Sequence, residues 1–310
     1  MASMLPLFFV AAFRYYVGTD YGAYVRAFVQ IGNGRSSSME WLYQALSRII
    51  SRFGGNYVWI FVVSALVFLI PTFLHIFKYS PYPVLSIFLL FGMTYYFAFL
   101  NQMRQLMASA ILMYSMRYIE DEKPLRFGLC VAIATGFHST SWAFLILYFL
   151  RKLRLTPLKA AVIAVASWLL YNPLSTLLVR ILQETEYSTY IGSDLMISRT
   201  RFLTQIAVIL VASLWYDRSE RYRQYYLSNY LAACAAAFGG TVSYAHRMIY
   251  TFGLSAVILL PMAINEVRTK QDRIIMTTVV VLCYSAYAFY FVVYRGVHEV
   301  LPYQFIFGHI

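Results

Sequence analysis

The sequence predicts an all-α protein, a polytopic integral membrane helical bundle with about 9–11 membrane segments. Two observations predict this class. First, 61% of the residues are hydrophobic and only 12% are charged, and the mean hydropathy is +0.62, which leaves too few polar residues to cover a soluble globule. Second, apolar runs long enough to cross a ~30 Å hydrocarbon core as helices recur along almost the whole chain. Since no repeat or linker interrupts this pattern, we expect a single polytopic membrane domain over residues 1–310.

The first segments are too short or too polar to be ordinary spans. The run before Arg14 contains about ten apolar residues, too few to cross alone, so we expect a half-inserted segment or the remainder of a longer one. Segment 39–53 carries Leu42, Leu46 and Ile50 on one helical face, which predicts a helix lying in the membrane interface. Spans are predicted at 57–77, 82–100, 103–119, 158–182, 202–216, 225–243, 247–265 and 274–294.

The basic residues predict both the orientation and the form of segment 127–150. When the spans alternate, every lysine falls on one face together with Arg117 and Arg221, and this face is expected to be cytoplasmic. The lysines are Lys78, Lys123, Lys152, Lys159 and Lys270. The loops on both sides of segment 127–150 are basic and belong to this face, so the segment must enter the membrane and return as a broken, re-entrant hairpin with its apex at 136–141. A straight single span is the alternative, and it would reverse every later loop.

Composition also argues against several functions. The formal charge is +12, but the basic residues lie in short loops, where orientation and contact with membrane lipid explain them, so no nucleic-acid partner is expected. Cys130, Cys234 and Cys283 lie in separate apolar runs and indicate neither a disulfide framework nor a zinc site. Of the acidic runs, 120–122 lies on the cytoplasmic face and 184–186 lacks supporting ligands. We expect no metal and no cofactor.

Arginines at the ends of spans are the strongest candidates for a binding site. Arg14, Arg104 and Arg247 share the exterior face in the topology above. An arginine at the centre of a span costs ~2.5–3.5 kcal/mol on insertion scales, so it usually has a partner or a function. Guanidinium presents a rigid fork of donors that suits the two phosphates of a pyrophosphate. The alternative is that each arginine snorkels to the interface or forms a structural pair with a carboxylate.

Two titratable residues are candidates for proton transfer, and a third, Glu40, is a candidate for substrate binding. His138 lies at the expected hairpin apex and is the first candidate for a general base, because imidazole accepts a proton at physiological pH. Hydrogen-bonded packing is its alternative role. Asp20 is the second candidate, and it is also suited to orient a sugar hydroxyl or to pair with Arg14. Glu40 is a further acidic candidate, although its place at the start of an interfacial helix is equally explained by the helix dipole.

Polar and aromatic residues on the same face complete the expected site. Gln105 stands beside Arg104, and Tyr21, Tyr24 and Tyr303 are expected near the cavity. Tyrosines suit the stacking of sugar rings, but they are also typical of the aromatic belts at membrane interfaces, and composition does not separate the two roles.

Five stretches, taken in order, resemble the EpsG family, which comprises Wzy-type polymerases of bacterial exopolysaccharide, capsule and O-antigen. The stretches are FRYYVGTDYGAY, NQMRQLMASAILMYSMRYI, GFHSTSWAFLILYFL, HRMIYTF and LPYQFIF. Each is a loose motif, whereas the five in this order and spacing form a more specific pattern that covers nearly the whole chain. Family members often carry a further span ahead of the first stretch.

This resemblance implies a metal-independent membrane glycosyltransferase in the bacterial inner (cytoplasmic) membrane. On the outer face it would transfer the growing glycan from polyprenyl pyrophosphate to the next lipid-linked repeat unit. Arg104, Arg247 and Arg14 would stabilise the departing pyrophosphate, and His138 or Asp20 would take the proton of the acceptor hydroxyl. The expected partners are the polyprenyl-pyrophosphate-linked oligosaccharide, membrane lipid, and a chain-length regulator and flippase of the same pathway.

Three alternative functions follow from the same sequence features. A related glycosyltransferase or ligase with a polyprenyl-phosphate-linked donor would use the same arginines and base, so its product alone distinguishes it. A lipid-linked oligosaccharide flippase is disfavoured because the polar residues lie on one side and no repeat is present. A structural scaffold would need none of these residues.

Overall fold

The computed structural model describes residues 3–163, 195–236 and 243–308, with isolated positions between 165 and 180. Within these ranges the chain is helical and contains no named strand, although Arg14 and Phe305 form an isolated antiparallel bridge. The predicted all-α class is therefore confirmed. Most of the predicted span 158–182 and the acidic run 184–186 lie outside the described residues. The assignment of a single domain stays a prediction.

The helices are numbered here in chain order. They are α1 (Met4–Ala12), α2 (Tyr21–Gly32), α3 (Trp41–Arg52), α4 (Val58–Tyr79), α5 (Pro83–Gly92), α6 (Tyr95–Asn101), α7 (Met103–Glu120), α8 (Pro124–Phe137), α9 (Leu145–Leu150), α10 (Leu195–Ser213), α11 (Glu220–Ala236), α12 (Ser243–Gly253), α13 (Ala256–Asn265) and α14 (Lys270–Ala288). A 3-10 helix at Ser139–Phe144 separates α8 from α9, and a π-helical segment at Phe289–Tyr294 continues α14.

The candidate membrane spans include both straight and bent helices. In the described part of the chain, α4 and the extended α14 are long and apolar enough to cross a membrane. Two bent pairs also qualify if each is counted as one span: α5 with α6, bent by 51°, and α12 with α13, bent by 43°. The spans predicted at 82–100 and 247–265 are therefore broken rather than straight. The first break contains Thr94, whose left-handed φ of +63° interrupts the helical backbone.

Helix α7 lies at the centre of the bundle, where it packs against α4, α8 and α12. Its buried face includes the small residues Ala108, Ser109 and Ala110, which allow neighbouring helices to approach closely. Polar groups inside a bundle are satisfied by protein rather than by lipid; the Ser109 hydroxyl, for example, donates to the carbonyl of Gln105 at 2.9 Å. This interior position explains why α7, which is predicted as a span, is less apolar than α4.

Charged side chains gather at both ends of α7. At its C-terminal end, Arg221 donates two hydrogen bonds to the Glu120 carboxylate, at 2.8 and 2.7 Å. Arg221 and Lys78 both lie over the ring of Tyr79, at 4.7 and 5.1 Å from its centre. Arg221 and Lys78, which are both predicted to lie on the cytoplasmic face, are therefore close together in the structure. Arg104 lies at the opposite end of α7, about 24 Å away at 1.5 Å per residue.

The segment after α7 reverses direction. Phe127, in the first turn of α8, has its ring centre 6.2 Å from that of Phe144 and 5.7 Å from that of Tyr148. A continuous helix would separate Phe127 from Tyr148 by about 31 Å. The predicted broken hairpin is therefore confirmed, and the straight span is excluded. The backbone becomes extended at His138, with φ −152° and ψ 117°, inside the predicted apex.

Candidate active site

Glu40 joins two elements that are far apart in the sequence. It immediately precedes α3 in an extended conformation and forms an ion pair with Arg104. Its other carboxylate oxygen, Oε1, lies 3.2 Å from Nδ1 of His138 and accepts a hydrogen bond from the backbone N–H of Ser139 at 3.2 Å. The side chains of Glu40, Arg104 and His138 are 18%, 22% and 7% exposed. We call these three residues the Glu40 cluster.

The loop before α3 is fixed by backbone contacts. The side-chain amide of Gln44 donates to the carbonyl of Ser37 at 3.1 Å and to that of Met39 at 2.6 Å. These bonds fold the start of α3 back on the preceding loop and hold the backbone at Glu40. The position of the carboxylate therefore follows from a local interaction as well as from its own ion pair.

Glycine at position 136 allows the hairpin apex to approach α3. A Cβ atom placed on Gly136 would lie 2.9 Å from Cβ of Leu42 and 2.9 Å from the ring of Trp41. Contacts this short are essentially not tolerated, so a larger residue would push the end of α8 away from α3. The absence of a side chain at this position brings His138 within reach of Glu40.

Arg104 is surrounded by aromatic and charged groups. Its guanidinium lies 5.9 Å from the ring centre of Tyr43, whose ring in turn packs 5.9 Å from that of Tyr24. Asp20 is half-buried nearby, and burial raises the pKa of its carboxyl above the usual value. The hydrogen bond from Thr19 and the positive charges of Arg104 and Arg247 oppose this shift in part. The positive charges of both arginines therefore act on the Asp20 carboxyl.

Arg247 is held beside this group through its backbone. Gln105 donates its side-chain amide hydrogen to the carbonyl of Arg247, and the Thr251 hydroxyl donates to the same carbonyl at 3.3 Å. The first bond connects the start of α7 to α12. Gln105, predicted to contact substrate, thus uses its amide nitrogen to position the helix that carries Arg247.

Among the described residues, the contacts of Arg14, Tyr21 and Tyr303 are with groups outside the Glu40 cluster, although Arg14 lies 3.7 Å from Sδ of Met103, the neighbour of Arg104. Arg14 is fully buried, donates to the carbonyl of Ala11 at 2.5 Å, and lies 4.4 Å from the ring centre of Phe61. Tyr21 stacks on the same ring with 4.9 Å between centres, and Tyr303 donates its hydroxyl hydrogen to a carbonyl of α1. Arg14 and Tyr21 thus pack the N-terminal part of the chain against α4, and Tyr303 holds the C-terminal segment to α1.

Tyr43 and Arg201 were not predicted as site residues, but the structure places each of them in a buried polar environment. Tyr43 is fully buried under Arg104, and Arg201 lies buried beside the Tyr250 ring, 5.6 Å from its centre. Arg201 carried a usable signal, because it is a charged residue immediately before the apolar span predicted at 202–216. Tyr43 carried none, since it is one of 28 tyrosines.

The Glu40 cluster has the parts needed for acid–base and anion chemistry. Nδ1 of His138 lies 3.2 Å from a carboxylate oxygen of Glu40, and neither ring nitrogen forms a well-aligned hydrogen bond among the described residues. A histidine held in this way keeps Nε2 as a proton acceptor. Guanidinium has five N–H donors, so Arg104 retains donors for an anion while it pairs with Glu40. Within the described ranges, no group of three His, Cys, Asp or Glu side chains is placed to hold a metal.

Fold and site together define a helical membrane protein that carries a histidine, a carboxylate and arginines at one end of its central helix. The chain belongs to the EpsG family, whose model matches residues 1–305. This is a family of Wzy-type polymerases, and membership indicates a role in polysaccharide polymerisation. Comparisons with curated proteins and with solved structures give no match.

Proposed function

We propose that this protein polymerises lipid-linked oligosaccharide repeat units. It transfers the growing glycan from its polyprenyl pyrophosphate carrier to the next lipid-linked repeat unit, on the outer face of the bacterial cytoplasmic membrane. Membership of the EpsG family supports the class of reaction. The observation that carries the assignment of the site is the contact of Glu40 with both Arg104 and His138.

The proposed step is a single displacement at the anomeric carbon of the growing glycan. Nε2 of His138 accepts the proton of the acceptor hydroxyl, and the hydroxyl oxygen forms the new bond to the anomeric carbon. The bond from that carbon to the pyrophosphate oxygen breaks, and its electron pair leaves with the carrier pyrophosphate. Direct attack of this kind inverts the anomeric configuration.

Each residue of the cluster has a separate task in this step. Glu40 orients the imidazole and stabilises the imidazolium that forms, as a carboxylate commonly does for a catalytic histidine. Arg104 and Arg247 stabilise the charge that develops on the pyrophosphate, which is the electrostatic contribution expected where the leaving group is an anion. Asp20, close to both arginines, is the alternative base.

The test is polymerisation by the purified protein in lipid nanodiscs. A polyprenyl-pyrophosphate-linked repeat unit is supplied, and the products are separated by size. We expect a ladder of multiples for the wild type and its loss in His138→Gln, with a rate decrease of about 10²–10⁴-fold, the usual contribution of a general base. Arg117→Lys, at the opposite end of α7, is the matched control for Arg104→Lys and is expected to retain the ladder.

The other outcomes distinguish the alternative functions. A single added unit without a ladder would replace the polymerase assignment by a transferase or ligase. Movement of the lipid-linked unit across the membrane without extension would replace it by a flippase. A full ladder in His138→Gln would remove the histidine from the mechanism.

A further inference from the structure

Arg201 marks a second polar site, outside the Glu40 cluster. It lies on α10, is 7% exposed, and contacts the rings of Tyr250 and Phe291, at 5.6 and 6.0 Å from their centres. It borders a cavity of about 30 Å³ whose lining consists of hydroxyl, amide and aromatic groups together with the apolar Met93 and Ile249. Its polar lining includes Thr204 and Gln205.

A large apolar groove adjoins this small polar cavity. The groove has a volume of about 640 Å³ and lies between α10, α13 and α14. Thr204, Tyr284 and Tyr287 line both the polar cavity and the groove. Beyond them the lining is mainly aliphatic, and the far end reaches Asp272 in the first turn of α14. A volume of this size is within the usual range of ligand sites, about 300–1,000 Å³.

The length of the groove indicates the kind of chain that fits it. From Tyr287 to Asp272 the groove follows α14 for about 22 Å at 1.5 Å per residue. One leaflet of a membrane provides about 15 Å of hydrocarbon, half of the ~30 Å core. An ordinary acyl chain ends within its own leaflet, whereas a polyprenyl chain is long enough to fill the whole groove. None of the residues of α14 is buried against the rest of the described protein.

The polar end of the groove suits a phosphate and lies next to the Glu40 cluster. A guanidinium and tyrosine hydroxyls are donors for phosphate oxygens. The cavity of about 30 Å³ has room for one oxygen atom of the headgroup, so the rest of the phosphate would lie at its mouth, between Thr204 and Tyr287. Tyr250, beside Arg201, is one helical turn from Arg247 on α12. A lipid headgroup at Arg201 would therefore lie close to the proposed site of reaction.

We propose that the groove between α10, α13 and α14 binds the polyprenyl chain of a lipid-linked substrate, and that Arg201 binds its phosphate. This inference rests on the proposed function for the identity of the lipid. It adds a carrier site that is separate from Arg104 and that places one substrate beside the Glu40 cluster.

The test measures binding, independently of polymerisation. Full-length protein in nanodiscs is titrated with a long-chain polyprenyl monophosphate that carries a photoreactive group, and labelled peptides are identified. We expect labelling of α10 and α14, and binding about 10–100-fold weaker for the uncharged polyprenol of the same length, because a phosphate bound by arginine makes charge-assisted hydrogen bonds. Arg201→Gln should bring the two lipids to equal affinity.

Two further variants test the groove at exposed positions, so their result does not depend on whether Arg201→Gln folds. Val279→Trp fills the groove from α14, where Val279 is 52% exposed. Leu282→Trp is the matched control, because Leu282 is 64% exposed on the same helix and does not line the groove. We expect Val279→Trp to weaken binding at least about tenfold and Leu282→Trp to leave it unchanged.

Three results would overturn the inference. These are equal binding of the phosphate and the polyprenol, labelling away from α10 and α14, and full displacement of the probe by phosphatidylglycerol at equal concentration, which would indicate an ordinary lipid site. The two proposals remain distinguishable. Specific binding without a product ladder contradicts the polymerase alone, whereas a ladder that is unaffected in Val279→Trp, together with unchanged probe binding, contradicts the carrier site alone.

Discussion

Replacing Glu40 by glutamine tests the central contact of the site with a minimal change of shape. The amide retains an oxygen for the N–H of Ser139 but loses the negative charge that faces Arg104 and His138. Removing one partner of a fully buried ion pair costs about 3–5 kcal/mol, and an exposed pair contributes under about 1 kcal/mol. Glu40 and Arg104 are 18% and 22% exposed, and we therefore expect a cost of about 2–3 kcal/mol.

If this cost falls on the transition state, the rate of polymerisation decreases by about 30–150-fold. The assay is the initial rate of ladder growth in nanodiscs, with the thermal unfolding midpoint recorded for each variant. Glu122→Gln, an exposed site on the loop after α7, is the matched control and should retain the wild-type rate. A double-mutant cycle of Glu40→Gln with Arg104→Gln should show strong coupling. A Glu40→Gln rate within about threefold of wild type would refute the proposed role of the carboxylate.

Three further predictions follow from the structure. Arg14→Lys should lower the free energy of unfolding by about 1–3 kcal/mol, because it loses buried hydrogen bonds, and should leave the polymerisation rate of the folded protein unchanged. Arg104→Lys should lower that rate. A lower rate in Arg14→Lys with an unchanged rate in Arg104→Lys would place Arg14 in the site instead. Gly136→Ala should separate α8 from α3 and decrease the rate by about tenfold or more, and a wild-type rate would contradict the tight approach inferred here. Burial raises the pKa of the Asp20 carboxyl, so an enzyme that needs its ionised form should lose activity as the pH drops through this raised pKa. Asp20→Asn should remove that acid limb from the pH–rate profile. An acid limb that is unchanged in Asp20→Asn would belong to another group.

The broken hairpin could be predicted from the sequence because the prediction depends on the positions of basic residues rather than on local helix propensity. Two basic loops on the same face require the chain between them to return, and the contact between Phe127 and Tyr148 shows that it does. The bends within the spans at 82–100 and 247–265 were not predicted. Both segments are mainly apolar, so hydropathy predicts a span for each but contains no information about the direction of the helix axis; Gly92 and Thr94 in the first, and Gly253 and Ser255 in the second, mark where the axis changes.

The site was only partly predictable for a related physical reason. A buried arginine needs partners, but the sequence does not show whether they are a ligand or the protein itself. Arg14 finds a carbonyl, a thioether and an aromatic ring, so its burial is explained by packing. In the sequence, the position of Glu40 at the start of a helix is explained by the helix dipole alone. Its partners Arg104 and His138 lie on other elements, so the sequence does not show that the three residues meet. Contacts between distant segments require the fold.

The ion pair between Glu40 and Arg104 also bears on how the protein is made. Glu40 leaves the ribosome first, Arg104 follows with α7, and His138 and Arg247 come later. The carboxylate therefore has its cation as soon as α7 inserts, before the hairpin and α12 exist. A nascent chain ending after α7 would already carry a neutralised pair at the Arg104 end of its central helix, and the histidine would join that pair afterwards.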